Sequence, residues 1–157
     1  MDPIEEFRYL VLAAQREGNR ALTAALKKHD LTTSQAEAIA VLRDAGRPLT
    51  VREVGERLVC EGGSPSRLMA TLARKGLVQA GEGQDDRRTT PLSLTGKGVE
   101  AARDVARIEK DLYAVLASVV SERELHTVLP VLRRFVDQLP AGQALKSRIG
   151  DKEGALG

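Results

Sequence analysis

The sequence predicts a mainly α-helical fold with one small β-hairpin, in which a helix-turn-helix and the hairpin are flanked on both sides by longer helices. Three observations predict it. Apolar residues recur at spacings of three and four along residues 4–28 and again along 99–139. Helix-start pairs, in which Ser or Thr precedes an acid or amide by three positions, recur between them. Two short apolar runs, 77–80 and 92–94, enclose a polar, glycine-bearing stretch that reads as a hairpin tip. A length of 157 residues suits one domain with a real hydrophobic core, and 42% hydrophobic with 29% charged residues places the chain among folded proteins rather than disordered ones.

The first helix spans about 4–28, with Ile4, Phe7, Leu10, Val11, Ala14, Leu22 and Leu26 on one side and Gly18 weakening its middle. Asp30-Leu31-Thr32-Thr33 breaks the pattern. A capping box from Thr32 and Gln35, or from Ser34 and Glu37, opens the next helix, which buries Ala36, Ile39, Ala40 and Leu42 and ends before Gly46. Thr50 and Glu53 form another box for a helix reaching about Leu58. After a turn at Cys60-Glu61-Gly62-Gly63, Ser64-Pro65 restarts a helix with Pro65, Leu68, Met69 and Leu72 inward, and Gly76 stops it. Pro91 lacks a ladder donor, which predicts an edge or irregular position for the second strand. Thr95 caps a helix of about six turns. Ser121 and Glu124 open the last one, with Leu125, Val128, Leu129, Leu132 and Phe135 inward, a kink at Pro130 and an end at Pro140. Residues 141–157 read as a loose, polar, glycine-bearing tail.

Several function classes fall away. No run approaches the roughly 20 apolar residues that span a bilayer. The start, Met1-Asp2-Pro3-Ile4-Glu5-Glu6, is acidic where a signal peptide is basic, so a cytoplasmic location is expected, without membrane contact. A single cysteine, Cys60, forms no internal disulfide or thiolate cluster. His29 and His126 sit in no metal-ligand spacing, so neither metal nor cofactor is expected. Nucleophile elbow, phosphate-binding glycine loop and zinc-protease helix are all missing, which argues against an enzyme. The net charge is only +2. Its distribution says more: residues 1–46 carry −1, residues 47–98 carry +3 and residues 99–157 carry 0.

The positive third is helix, turn, helix and hairpin, the order of a winged helix-turn-helix. Such a turn projects the second helix across the first, so that its exposed face enters a major groove. On that helix Ser64, Arg67, Thr71 and Arg74 lie opposite the apolar face, flanked by Ser66. Arg67 is suited to a two-pronged bond to guanine. Ser64 and Ser66 stand at the helix N-terminus, where N–H groups favour a phosphate. Arg87 and Arg88 at the hairpin tip suit a narrow minor groove.

These residues resemble the MarR family of winged-helix regulators. The resemblance rests on Val51-Arg52-Glu53-Val54-Gly55-Glu56-Arg57-Leu58, on Ser64-Pro65-Ser66-Arg67-Leu68 and on Leu72-Ala73-Arg74-Lys75-Gly76-Leu77-Val78. It continues through Asp86-Arg87-Arg88 and Leu92-Ser93-Leu94-Thr95-Gly96-Lys97-Gly98, similar to the family's wing signature. It implies residues 1–30 and 95–140 as a helical dimerisation region, 31–94 as the DNA-binding region and 141–157 as a C-terminal tail. It also implies a homodimer on double-stranded DNA with a pseudo-palindromic operator, and repression relieved by a small aromatic or phenolic ligand. Arg88 becomes the minor-groove arginine and Asp86 the acid that braces the wing. Tyr9, Arg16 and Tyr113 are candidates for the ligand site. Cys60-Glu61-Gly62-Gly63 and Pro91 depart from the family pattern. Two alternatives stand beside this reading: a redox-responsive regulator acting through Cys60, and a winged-helix interaction module that has lost DNA binding.

Overall fold

A computed structural model describes residues 1–60, 63–81 and 89–154. The chain runs through α1 (Pro3–Leu26), a single 3-10 turn at Lys27–His29, α2 (Thr33–Ala45), α3 (Val51–Gly55), α4 (Pro65–Arg74), β1 (Val78–Ala80), β2 (Leu92–Leu94), α5 (Gly96–Val119), α6 (Glu122–Val136) and α7 (Pro140–Gly154). The mainly helical fold with a two-stranded wing is as expected. α1 is continuous through Gly18, where an added Cβ would meet nothing within 4 Å.

Local signals start most helices where they were expected. Thr32 Oγ1 accepts from the Gln35 amide at 3.2 Å while the Gln35 side chain accepts from the Thr32 amide, so this pair, not Ser34 with Glu37, makes the box. Thr50 with Glu53 and Ser121 with Glu124 form the same reciprocal arrangement. α2 ends at Gly46, which takes the left-handed conformation (φ 61°) that favours glycine.

α2 is the centre of the molecule. Ala36, Ala38, Ile39, Ala40, Val41 and Leu42 are all buried, so it is enclosed on every side rather than along one stripe. Leu26, Leu49, Val54, Leu68, Met69, Leu72, Leu77, Val78, Ala102 and Val105 complete the core around it. Each large aliphatic side chain taken fully out of water there contributes about 1.5–3 kcal/mol.

β1 and β2 pair antiparallel, with Val78 opposite Leu94 and Ala80 opposite Leu92. Leu92 also exchanges both backbone hydrogen bonds with Leu49, at 2.7 and 3.0 Å. β2 is therefore flanked on both sides at Leu92, by an isolated bridge, while in the two-stranded sheet it otherwise keeps the edge position expected of it. Pro91 is tolerated because it lies at the end of the β1 ladder, where its carbonyl still accepts from the Gly81 amide at 2.8 Å. Only one donor is forfeited.

α5 begins against the backbone of β1. Thr95 Oγ1 caps the Gly98 amide at 3.0 Å and donates to the Gly76 carbonyl at 2.6 Å, and the Thr95 amide donates to the Leu77 carbonyl at 3.1 Å. A Cβ at Gly98 would lie inside the contact shell of the Leu77 carbonyl oxygen. This gives the Thr-x-x-Gly spacing a physical cause: the hydroxyl caps and the glycine permits close approach. Gly98→Ala is expected to destabilise the fold by about 3 kcal/mol through overpacking. In a thermal melt that is a fall of about 10 °C, whereas Gly96→Ala, with nothing within 4 Å of an added Cβ, should stay near wild type.

Two boundaries differ from expectation. α3 ends at Gly55, because the amides of Arg57 and Leu58 bond three residues back and tighten the chain into a turn. Residues 140–154 form α7 instead of a loose tail: Pro140 occupies the first helical position, and the helix is tied by ion pairs to α2 and to Arg57 in the turn after α3.

The flanking helices contrast with the core. Every exposed large hydrophobic among the described residues lies in 1–12 or 99–149. Leu125, Val128, Leu129, Leu132 and Phe135 of α6 are exposed in the isolated chain, and Phe7 of α1 meets Phe135 edge-on at 6.2 Å. No described helix is long and apolar enough to cross a membrane.

Candidate nucleic-acid interface

α3, the turn and α4 place a helix at the surface with one apolar side in the core. Leu68, Met69 and Leu72 are buried, and the Pro65 ring closes on Gly55, where an added Cβ would come within 3.0 Å. Ser64, Ser66, Arg67, Ala70 and Arg74 are exposed and Thr71 is half-buried. The face singled out from the sequence is therefore the outward face. Ser64 holds the N-cap position with extended backbone, and its side chain makes no cap bond.

The positive charge of the middle third is largely committed. Arg47 pairs with Glu53 at 2.9 Å, Arg52 with Glu56 at 2.8 Å, Arg57 with Asp151 at 2.6 Å and Lys75 with Asp30 at 3.0 Å. Lys97 donates to the Lys75 carbonyl at 3.0 Å, and Arg74 bonds Thr71 Oγ1 at 2.9 Å within its own helix. Arg67 has no such partner among the described residues. It is the cation of α4 left available for a ligand. Asp86, Arg87 and Arg88 lie outside the described residues. Of the two strands on either side of them in sequence, β1 packs against α4.

The cap of α3 makes a pH-dependent contribution. The Thr50 amide, followed by the Arg47 guanidinium and the Thr50 hydroxyl, holds the Glu53 carboxyl at about 2. Because the folded value is depressed, this contribution is complete above the ordinary value of 4.5 and is lost as pH falls from there toward 2. Glu53→Gln keeps an acceptor for the Thr50 amide but does not titrate. Between pH 5 and 2.5 the melting temperature of the wild type should fall more steeply than that of this variant, and parallel curves would rule the effect out.

The structure does not gather Tyr9, Arg16 and Tyr113 around one cavity. Tyr9 is exposed with the Arg8 guanidinium 5.1 Å over its ring, and Arg16 is exposed further along α1. Tyr113 is half exposed on α5, its phenol pushed up by partial burial and then by the Glu109 carboxylate. A cavity of about 420 Å³ opens elsewhere, between the end of α2, β2 and α5. Leu42, Pro48, Leu94 and Val99 give it an apolar lining, and Arg43 and Arg103 bring positive charge. Arg43 pairs with Asp44 and Glu109, but its Nη1 is buried without a hydrogen-bond partner. These residues come from three separate segments, so no local motif announces them.

Cys60 lies at the surface, not in the core as a free cysteine in a turn usually does. Partial burial, and after it the Glu37 carboxylate, pushes its thiol up. That leaves less thiolate, the opposite of what a reactive sensor needs. His29 pairs with Asp104 at 3.1 Å and His126 Nδ1 lies 2.7 Å from the Glu122 carbonyl. Among the described residues no group of three metal-ligating side chains forms.

Residues 31–98 match the winged helix DNA-binding domain family. The chain is 28% identical over 131 residues to the HTH-type transcriptional regulator SarZ of Staphylococcus aureus, covering 83% of this chain and 86% of SarZ. Among solved structures it is similar to the organohalide-sensing regulator RdhR in its 2,4-dichlorophenol-bound form, with TM-score 0.76 and 17% identity over 89% of this chain and 83% of RdhR. It is also similar to a MarR mutant from E. coli complexed with operator DNA, with TM-score 0.71 and 21% identity over 87% of this chain and 99% of MarR. The two structures share its fold. The chain thus carries a winged-helix DNA-binding domain across its middle, is similar along most of its length to an HTH-type transcriptional regulator, and shares the fold of MarR.

Proposed function

We propose that the protein is a cytoplasmic homodimeric repressor that binds a pseudo-palindromic operator and is released by a small aromatic or phenolic ligand. The observation that carries the dimer is the confinement of exposed large hydrophobics to residues 1–12 and 99–149. That much apolar surface on α1, the second half of α5 and α6 needs a cover, and a second copy supplies the same face by two-fold symmetry. On this reading residues 1–30 and 95–140 dimerise and 31–94 bind DNA, with Tyr9 and Tyr113 on the dimer face. Arg67 reads a base edge, Ser64, Ser66, Thr71 and Arg74 meet phosphates, and Arg87 and Arg88, braced by Asp86, enter the minor groove.

The cavity beside Arg43 and Arg103 suits the ligand. Its apolar lining accepts a ring, and two guanidinium groups attract a carboxylate or phenolate. It lies where α5 leaves the winged helix, so a bound molecule changes how the reading heads sit relative to the dimer helices. The dichlorophenol held by RdhR belongs to this ligand class.

The test is fluorescence anisotropy on the DNA adjoining the protein's own gene, as a salt series. Expected are half-site centres about 10 base pairs apart and an affinity that falls steeply as salt rises. A protein that ignores this DNA at low salt is the interaction module instead.

A further inference from the structure

The turn between α3 and α4 is held by a carboxylate that belongs to neither helix. Glu37, midway along α2, has a side chain only 8% exposed. Its Oε1 accepts from the Val59 amide at 2.8 Å and its Oε2 from the Cys60 amide at 3.1 Å. Arg148 of α7 reaches the same Oε1 at 3.4 Å, and its other terminal nitrogen lies 3.6 Å from Asp44. One turn on, Asp151 receives Arg57 through two nitrogens at 2.6 and 3.2 Å, and Arg57 also donates to the Glu53 carbonyl at 3.0 Å. The stretch 57–60 leading into α4 is thus held at both ends by charges that converge on α7. At its own start α7 is fixed to α6, because Gly142 packs against the Val136 carbonyl too closely for any Cβ.

We propose that Glu37 and Arg148 are positioning residues for the reading helix, and that α7 links the orientation of α6 to that of α4. The inference rests on the DNA-binding reading and adds to it. Charge-assisted hydrogen bonds to two adjacent amides fix the entry of α4 more tightly than a neutral turn does. Glu37 is buried, so it depends on Arg148 to offset the loss of water around its charge. Removing Arg148 loosens the turn without touching DNA. The reading helix then samples orientations that fit no single base-pair register. Binding that depends only on phosphates tolerates this; binding that depends on register does not.

The experiment uses the full dimeric chain. Arg148→Gln, Arg148→Lys, Glu37→Gln and the double variant Glu37→Gln/Arg148→Gln are compared with Lys146→Gln, which changes a charge on α7 that pairs with Asp137 instead. Affinities are measured for operator and for a random duplex of equal length, alongside hydrogen exchange of the Val59 and Cys60 amides and a thermal melt. Arg148→Gln is expected to weaken operator binding about tenfold and random-duplex binding less than about twofold. The two amides exchange faster, Arg148→Lys recovers most of the loss, and the double variant is no worse than Glu37→Gln alone. Should Arg148→Gln fail to fold, the comparison of Glu37→Gln with Lys146→Gln carries the test on the same readouts. Equal losses on both duplexes, additive single variants, or unchanged amides overturn the inference while the DNA-binding reading stands. A wild type that prefers no duplex overturns that reading first.

Discussion

Leu129→Asp combined with Leu132→Asp is expected to give a folded monomer that no longer holds operator DNA. Both side chains are exposed on α6, and the buried core runs from Leu26 to Val105 without any residue of that helix. The winged helix should therefore melt near its usual temperature. In the proposed dimer each copy would place these residues against its partner, so four carboxylates enter a largely apolar face. Isolated charges buried in this way cost several kcal/mol each, enough to separate the copies. A single winged helix then meets one half-site and loses the gain of holding two at once. The expected fall in operator affinity is on the order of a hundredfold or more. Light scattering after size exclusion reads the mass, anisotropy the affinity and circular dichroism the fold. A double variant that remains dimeric would move the interface off α6.

The helix starts were legible because their causes are local. Thr32 with Gln35, Thr50 with Glu53, Ser121 with Glu124 and Thr95 with Gly98 each act within three residues. The hairpin strands were legible for the same reason, as was the stop of α4 at Gly76, which sits at φ 71°. What escaped depends on distant partners. α7 is glycine-bearing and weakly patterned, and its anchors include Arg57 with Asp151, 94 positions apart. Nothing near residue 140 signals that pairing. The bridge from β2 to Leu49 joins positions far apart in sequence, and no residue near the strand signals it. The enclosure of α2 on all sides depends on α1, α4, α5 and α7 together. Its stripe of Ala36, Ile39, Ala40 and Leu42 was legible, but the burial of Ala38 and Val41 outside that stripe was not.

The interface was partly legible in the same sense. Helical spacing placed Ser64, Ser66, Arg67 and Arg74 outward, and they are outward. Charge counting showed where the basic excess lies but not which cations are spent on partners. Arg47, Arg52, Arg57 and Lys75 are committed to acids, some of them remote in sequence. Residue types alone nominated Tyr9, Arg16 and Tyr113 for a ligand. The cavity instead draws on segments near 42–48, 93–94 and 99–106, which only the fold brings together.

Arg67→Ala should therefore have a larger effect than any other substitution on α4. The side chain is exposed, unpaired among the described residues and set one turn from the helix start, where residues reach base edges. A bidentate arginine–guanine contact contributes about 1–3 kcal/mol of discrimination, so operator affinity should fall by about five- to 150-fold for each half-site. The loss should be confined to one base pair in each half-site. Replacing that pair should cost the wild type as much as the substitution does, and should cost Arg67→Ala almost nothing more. Arg67→Lys should restore little, because an ammonium group presents no fork. Arg88→Ala at the wing supplies the contrast: weaker binding to every sequence, with a salt dependence shallower by about one unit. If Arg67→Ala instead weakens all duplexes equally, Arg67 is a phosphate contact, and the base-reading role passes to another residue on the exposed face of α4.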